Sequence, residues 1–431
     1  MNQRYATIDP SLFISNRKRF VAEMKQKAIA IFHSNDEMPR NGDCNYPFRQ
    51  NSDFFYLTGI DQEQSVLMLF PQSPDPKFKE VLFVRETDEH TKVWEGEKYT
   101  KEEARKVSGI QTVYWTKEYE TLMQWLSEEC NFVYLNNNEN DRAKNEVISR
   151  DARLTPQTKK LFPGKRFERS APIMIALREI KSKTEIEIIK EACSITEKAF
   201  RRTLQFIKPG VWEYEIEAEI SHEFTINRSN GHAYSPIIAA GKNACVLHYV
   251  NNNQQCKKGD LILMDFGAEY ANYASDLTRT VPVSGKFSKR QKAVYNGVLN
   301  VLKESRKLLA AGNNFSDYNK QVRAIIEKEL VDLGLITTAE IRKQDPQNPV
   351  FRKYFMHGIS HFMGLDVHDL GDRNNKFQAG MIFTCEPGIY IPKEGIGIRL
   401  ENDILITSKG PQDLMKNIPI EIDEIEELMN E

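Results

Sequence analysis

The second half of this chain repeats a rhythm, and that rhythm limits the folds open to it more than any other feature. Ser182 with Glu185 forms a capping pair that opens a helix carrying Ile186, Ile189, Cys193, Phe200 and Leu204 on one face, stopped by Pro209-Gly210. A second helix stacks Ile216, Ile220 and Phe224 at one-turn intervals, and strand-like segments run from Pro236 to Val283. At Ser288 with Gln291 the order restarts: a helix to Ala311-Gly312, a second carrying Val322, Ile325, Ile326 and Leu330, then strands to about Thr407. Two copies of helix–helix–strands predict an internally duplicated domain, with a site on its pseudo-twofold axis to which each copy contributes residues.

The first third alternates strands and helices instead. Ala28–Phe32, Phe54–Leu57, Val66–Phe70, Val81–Val84 and Phe132–Leu135 read as short buried strands. Thr100 with Glu103 caps a helix ending near Gly109, and Leu122, Trp125 and Leu126 mark the inner face of another. The polar stretch from Asn136, broken by Pro163-Gly164 and Ala171-Pro172, predicts a boundary at 172. The expectation is therefore an α/β (α+β) protein of two domains, 1–172 and 173–431.

Composition narrows the function classes. Lysine plus arginine number 59 against 61 aspartates plus glutamates, a net charge of −2, which argues against a nucleic-acid-binding surface. No apolar run approaches the ~20 residues of a membrane span, and Met1–Tyr5 lacks the apolar segment of a secretory signal. Six cysteines are scattered without a C-x-x-C pair, so a disulfide framework and a thiolate zinc site are not expected, and a reducing cytoplasm is.

The chemistry gathers in the duplicated region. Leu261–Phe266 is an apolar strand bearing Asp265, and Tyr273–Thr280 carries Asp276; paired as an antiparallel hairpin, the two segments bring these acids together. Taken alone, each aspartate reads more readily as a turn or cap residue than as a ligand. Downstream, His357–Asp369 holds three of the eight histidines, while Glu386 and Glu401 sit in apolar strands where a solvated surface acid is not expected. His357 and His361 are four apart, but no glutamate follows His357 and Gly358 weakens a helix, so a helical zinc motif fails. Two aspartates, two glutamates and one histidine form an oxygen-rich set whose four ionised carboxylates carry −4. Two divalent cations would neutralise that charge. Such ligands suit Mn²⁺, Co²⁺ or Fe²⁺ and, less selectively, Zn²⁺, in a two-metal hydrolase centre.

These motifs resemble, in order and over essentially the whole chain, the pita-bread metallopeptidases, and within them the aminopeptidase P (Xaa-Pro aminopeptidase) family. The residues that carry the resemblance are Met264–Gly267, Ser275–Thr280, His357–Asp369, Glu386-Pro387-Gly388, Gly397–Glu401 and, near the N-terminus, Tyr46–Gly59. The resemblance implies a creatinase-like N-terminal domain ahead of a pita-bread catalytic domain. It implies that Asp265 binds one metal, His361 and Glu386 the other, with Asp276 and Glu401 bridging two ions, Mn²⁺ by preference. A metal-bridged hydroxide would attack the bond before a proline in the second position of a peptide, with Glu386 shuttling the proton. His248, His357 and His368 would act as catalytic and substrate-contacting histidines, and Arg399 would orient carboxylates and substrate. Trp94, in Val93-Trp94-Glu95-Gly96, resembles a tryptophan that completes a neighbouring subunit's pocket, implying a homo-oligomer, dimer or tetramer. Two departures, a short turn between Ile391-Pro392 and Gly395-Ile396 and the segment Ala233–Pro236, are expected to touch no ligand. The rival readings are a prolidase, sharing fold and ligands but restricted to Xaa-Pro dipeptides, and a non-catalytic pita-bread interaction module.

Overall fold

The computed structural model describes residues 4–140, 142 and 146–431. It divides into two compact units after Arg178, near the end of the helix Ala171–Glu179. Pro172 reads in the sequence as a breaker, yet it occupies the first turn of that helix, where a missing N–H costs no intrahelical bond.

The first unit is built on a six-stranded sheet in the order Thr112–Trp115, Glu80–Val84, Val66–Leu69, Ala28–His33, Phe132–Leu135 and Arg166–Arg169. The middle strands are buried along their whole length, as a sheet covered on both faces requires. Phe54–Leu57, expected as a strand, lies within the helix Ser52–Thr58. Asn51 caps it by accepting the Phe54 N–H, Gly59 ends it at φ 67°, and every residue from Asp53 to Thr58 is buried, which erases the periodicity that separates helix from strand. The polar stretch after Asn136 contains the helix Arg150–Leu161 and the edge strand Arg166–Arg169. Met123 and Leu126, not Trp125, face the core; Trp125 is exposed and meets Phe78 edge-on at 5.2 Å.

The second unit contains both helix pairs, Lys183–Phe206 with Glu213–Ile226 and Lys289–Leu308 with Phe315–Asp332. Ser182 and Ser288 make the reciprocal capping bonds with Glu185 and Gln291 that start them. After the first pair, Leu261–Phe266 lies between Ile237–Ala240 and Leu277–Pro282, antiparallel to both, with Asp265 opposite Thr278. The hairpin closes tightly: a Cβ on Gly267 would fall 1.7 Å from the Ser275 carbonyl oxygen. After the second pair, Ile382–Cys385 runs antiparallel to Asn402–Thr407, Cys385 opposite Asn402. Glu386 and Glu401 therefore leave the same end of that ladder. A bridge between Thr278 and Glu401 joins the two copies. Beside it, fully buried Arg279 donates to the carbonyls of Glu401 and Pro419 and to Asn402 Oδ1 at 2.7–2.9 Å.

Candidate metal centre and catalytic pocket

The seam between the copies is where the acids meet. Asp276, His361 and Glu401 each offer a ligand atom, all within 4.8 Å of one another, and all three side chains are buried. His361 is stitched to Ile382–Cys385 through both its backbone groups, donating to Thr384 Oγ1 at 3.2 Å and accepting from Thr384 N at 3.0 Å. Its Nδ1 donates to the Phe362 carbonyl at 2.9 Å, which fixes the tautomer and leaves the Nε2 lone pair facing Asp276 Oδ2 at 3.5 Å and Glu386 Oε1 at 3.7 Å. Glu386 is held by its backbone N–H to Ile359 O at 2.9 Å. Asp265 stands beside Asp276, and Arg399 Nη2 donates to Asp265 Oδ2 at 2.5 Å.

Electrostatics show what this set lacks. Burial, reinforced by Asp265, pushes the Asp276 carboxyl up to about 8. Burial and the nearby aspartates raise Glu386 to about 7, although His361 and Arg399 pull the other way. Glu401 is driven well above the carboxylate range by burial and its acidic neighbours. Its Oε1 is buried with no hydrogen-bond partner, while Oε2 accepts from Thr278 Oγ1 at 2.6 Å. A partnerless buried carboxylate oxygen beside like charges and an imidazole lone pair is the donor set a divalent cation requires. The residues fit a metal.

A cavity of about 280 Å³ opens onto these acids. His248, His357, His368 and Arg399 line it together with all five candidate ligands, so nine sequence-predicted residues share one space. Trp94 does not line it; it belongs to the first unit, on the short helix Glu89–Trp94, and is 75% exposed. His357 is held neutral, its pKa lowered to about 3 by burial and the Arg399 charge. Its Nδ1–H donates to Gly358 O at 2.7 Å, so Nε2 accepts from the Tyr390 hydroxyl at 2.8 Å, which in turn accepts from Arg399 Nη1 at 2.9 Å. The His368 ring lies edge-on to His361 at 4.3 Å.

Three hydroxyls at the site escape the sequence reading. Tyr234, in the segment expected to touch no ligand, places its hydroxyl 2.7 Å from Asp265 Oδ1 and 2.5 Å from Asp276 Oδ1, one proton between two acceptors. The expectation fails because Ile237 pairs with Asp265, which brings the residues just before that strand over the site. Tyr390 links His357 to Arg399, and Thr278 receives Arg399 Nε at 3.1 Å while donating to Glu401. Thr278 had a signal, lying two residues after Asp276 and so on the same face of an extended chain; the tyrosines had none beyond the general need of a buried hydroxyl for a partner.

Comparison with known proteins agrees with this geometry. Residues 187–408 match the model of metallopeptidase family M24, and residues 13–134 match the aminopeptidase P N-terminal domain. The chain is 35% identical to the Xaa-Pro aminopeptidase of Escherichia coli (strain K12) over 97% of both chains, and 32% identical to human Xaa-Pro aminopeptidase 3 over 92% of this chain and 80% of that one. It is similar to the structure of aminopeptidase P from E. coli with the inhibitor Pro-Leu (TM-score 0.89, 32% identity, 99% of each chain). It is similar also to the aminopeptidase PepP of Pseudomonas aeruginosa (TM-score 0.88, 32% identity, 98% of each chain). With an M24 pita-bread domain, the aminopeptidase P N-terminal domain and a buried acid–histidine cluster built for metal, the chain belongs to metallopeptidase family M24 as a metal-dependent exopeptidase of the aminopeptidase P group.

Proposed function

We propose that this exopeptidase removes the first residue from peptides with proline in the second position, using two divalent metal ions, manganese by preference. The observation that carries the reading is the convergence of Asp276, His361 and Glu401 within 4.8 Å, with Asp265 and Glu386 lining the same cavity. Asp265 would hold one ion, His361 and Glu386 the other, and Asp276 and Glu401 both. The ions supply Lewis-acid polarisation of the scissile carbonyl and acidify a water. Everything else falls to side chains. Glu386, which lines the same cavity, takes the proton of the attacking water and passes it to the proline nitrogen. His248, His357 and His368 hold the peptide, and His248 and His368 donate to the developing oxyanion; one such donor contributes about 3 kcal/mol. Neutral His357, its Nδ1–H on the Gly358 carbonyl and its Nε2 accepting from Tyr390, is a fixed pocket wall rather than a floating charge. Proline's amide nitrogen carries no hydrogen, so the site needs no acceptor there.

Exposed Trp94, beside exposed Val93, supports a homo-oligomer in which this tryptophan covers a neighbouring subunit's pocket. The six unpaired cysteines support a cytoplasmic setting. No helix among the described residues is long and apolar enough to cross a membrane.

The deciding experiment incubates metal-stripped and manganese-restored protein with Xaa-Pro-Xaa tripeptide and Xaa-Pro dipeptide. Release of the first amino acid from the tripeptide, restored by manganese, is the expected result. Dipeptide cleavage alone makes the protein a prolidase. Absence of bound metal and of cleavage in every arm leaves only an interaction module.

A further inference from the structure

Lys181 and Asp369 form an ion pair that no step of the reaction uses. Lys181 Nζ lies 3.1 Å from Asp369 Oδ2, and the two side chains are 1% and 2% exposed. Desolvating both charges offsets most of their attraction, so what such a pair contributes is placement more than stability. Lys181 is anchored independently: its N–H donates to Gly380 O at 2.9 Å, and the Gly380 N–H donates to Ile406 O at 3.0 Å, on the strand that begins just after Glu401. Glu185 and Glu179 also act on Lys181, and Glu179 keeps one buried oxygen, Oε1, without a hydrogen-bond partner. Glu185 accepts from the Ser182 N–H at 2.8 Å and the Tyr273 hydroxyl at 3.1 Å, and Glu179 accepts from Asn375 at 3.2 Å.

Asp369 ends the loop that holds two pocket histidines. Its N–H returns to the Phe362 carbonyl at 2.9 Å, closing the loop beside its start and bringing the His361 and His368 rings to 4.3 Å. Gly364 lies flat on the pair: a Cβ there would sit 2.2 Å from Asp369 Oδ2 and 2.9 Å from Lys181 Cε. The Gly364 carbonyl accepts from Ala274 N at 2.8 Å, two residues before Asp276. The loop is thus seated on the ion pair at one end and on the metal-site hairpin at its middle.

We propose that Lys181 and Asp369 are positioning residues that set the His368 imidazole against the bound peptide. The proposal rests on the reading above that His368 contacts substrate. The test is a double-mutant cycle of Lys181→Met and His368→Ala in the manganese-loaded enzyme, measuring kcat and KM for an Xaa-Pro-Xaa tripeptide. Lys181→Met should lower kcat/KM roughly tenfold to a hundredfold alone, and less than about twofold when His368 is already alanine. Lys181→Met with Asp369→Asn, which strands no charge, should show the same loss with unchanged melting temperature and manganese content, and it replaces Lys181→Met in the cycle if that variant does not fold. Equal losses in both His368 backgrounds overturn the positioning role alone, as does unchanged kcat/KM in the neutral pair. A silent His368→Ala instead faults the reading of that histidine, and the positioning role falls with it.

Discussion

One hydroxyl at this site does work that no acid could do. Tyr234 stands between Asp265 and Asp276 and puts a shared proton between two carboxyls that would otherwise only repel. Tyr234→Phe is expected to cost roughly tenfold to a hundredfold in kcat/KM, the range for losing a hydrogen bond to a charged group, with weaker manganese binding by calorimetry; unchanged values in both would show the hydroxyl to be idle. The two glutamates should separate cleanly. Glu386→Ala is expected to lower turnover roughly a hundredfold or more, while Glu401→Ala should also lose metal by atomic absorption, since its free Oε1 has nothing else to bind. The acids were legible in the sequence because a carboxylate in an apolar strand is costly to bury unless a cation or a hydrogen-bond donor meets it. The hydroxyls of Tyr234, Tyr390 and Thr278 were not, because serine, threonine and tyrosine fill ordinary cores and only the folded chain shows which of them meet a ligand.

At the scale of elements, the hairpin around Gly267 sets how closely the first two acids approach. Its backbone passes the Ser275 carbonyl with no room for a methyl group. Gly267→Ala is therefore expected to force Leu261–Phe266 and Leu277–Pro282 apart, lowering the melting temperature and releasing metal together; a variant that melts normally and keeps its metal would show that the strands tolerate the shift. Elements announced by chemistry were readable beforehand: the capping pairs at Thr100, Ser182 and Ser288 mark true helix starts. Hydrophobic runs found four of the five strands expected in the first unit and missed one helix. Ser52–Thr58 is buried on every side, so its pattern carried no period, and the polar helix Arg150–Leu161 offered too little apolar surface to be seen.

Across the whole molecule, the candidate metal site draws its residues, among those described, from both repeats of the second unit. Binding should therefore stabilise one unit selectively. In scanning calorimetry, manganese at a hundred times its dissociation constant should add about 2.7 kcal/mol to the unit that holds it, moving that transition upward while the other stays in place; a uniform shift of both would contradict this assignment. The repeats themselves were visible as a restarted rhythm, but not how they join, because the joint is made by Thr278, Glu401 and Arg279 rather than by any pattern along the chain. That joint has a consequence for the gene. The guanidinium of the earlier repeat is solvated largely by carbonyls of the later one, so a break placed between them would part the charge from its acceptors and expose to water the apolar faces that now cover both. The two halves are therefore expected to fail as separately expressed parts and to fold only together.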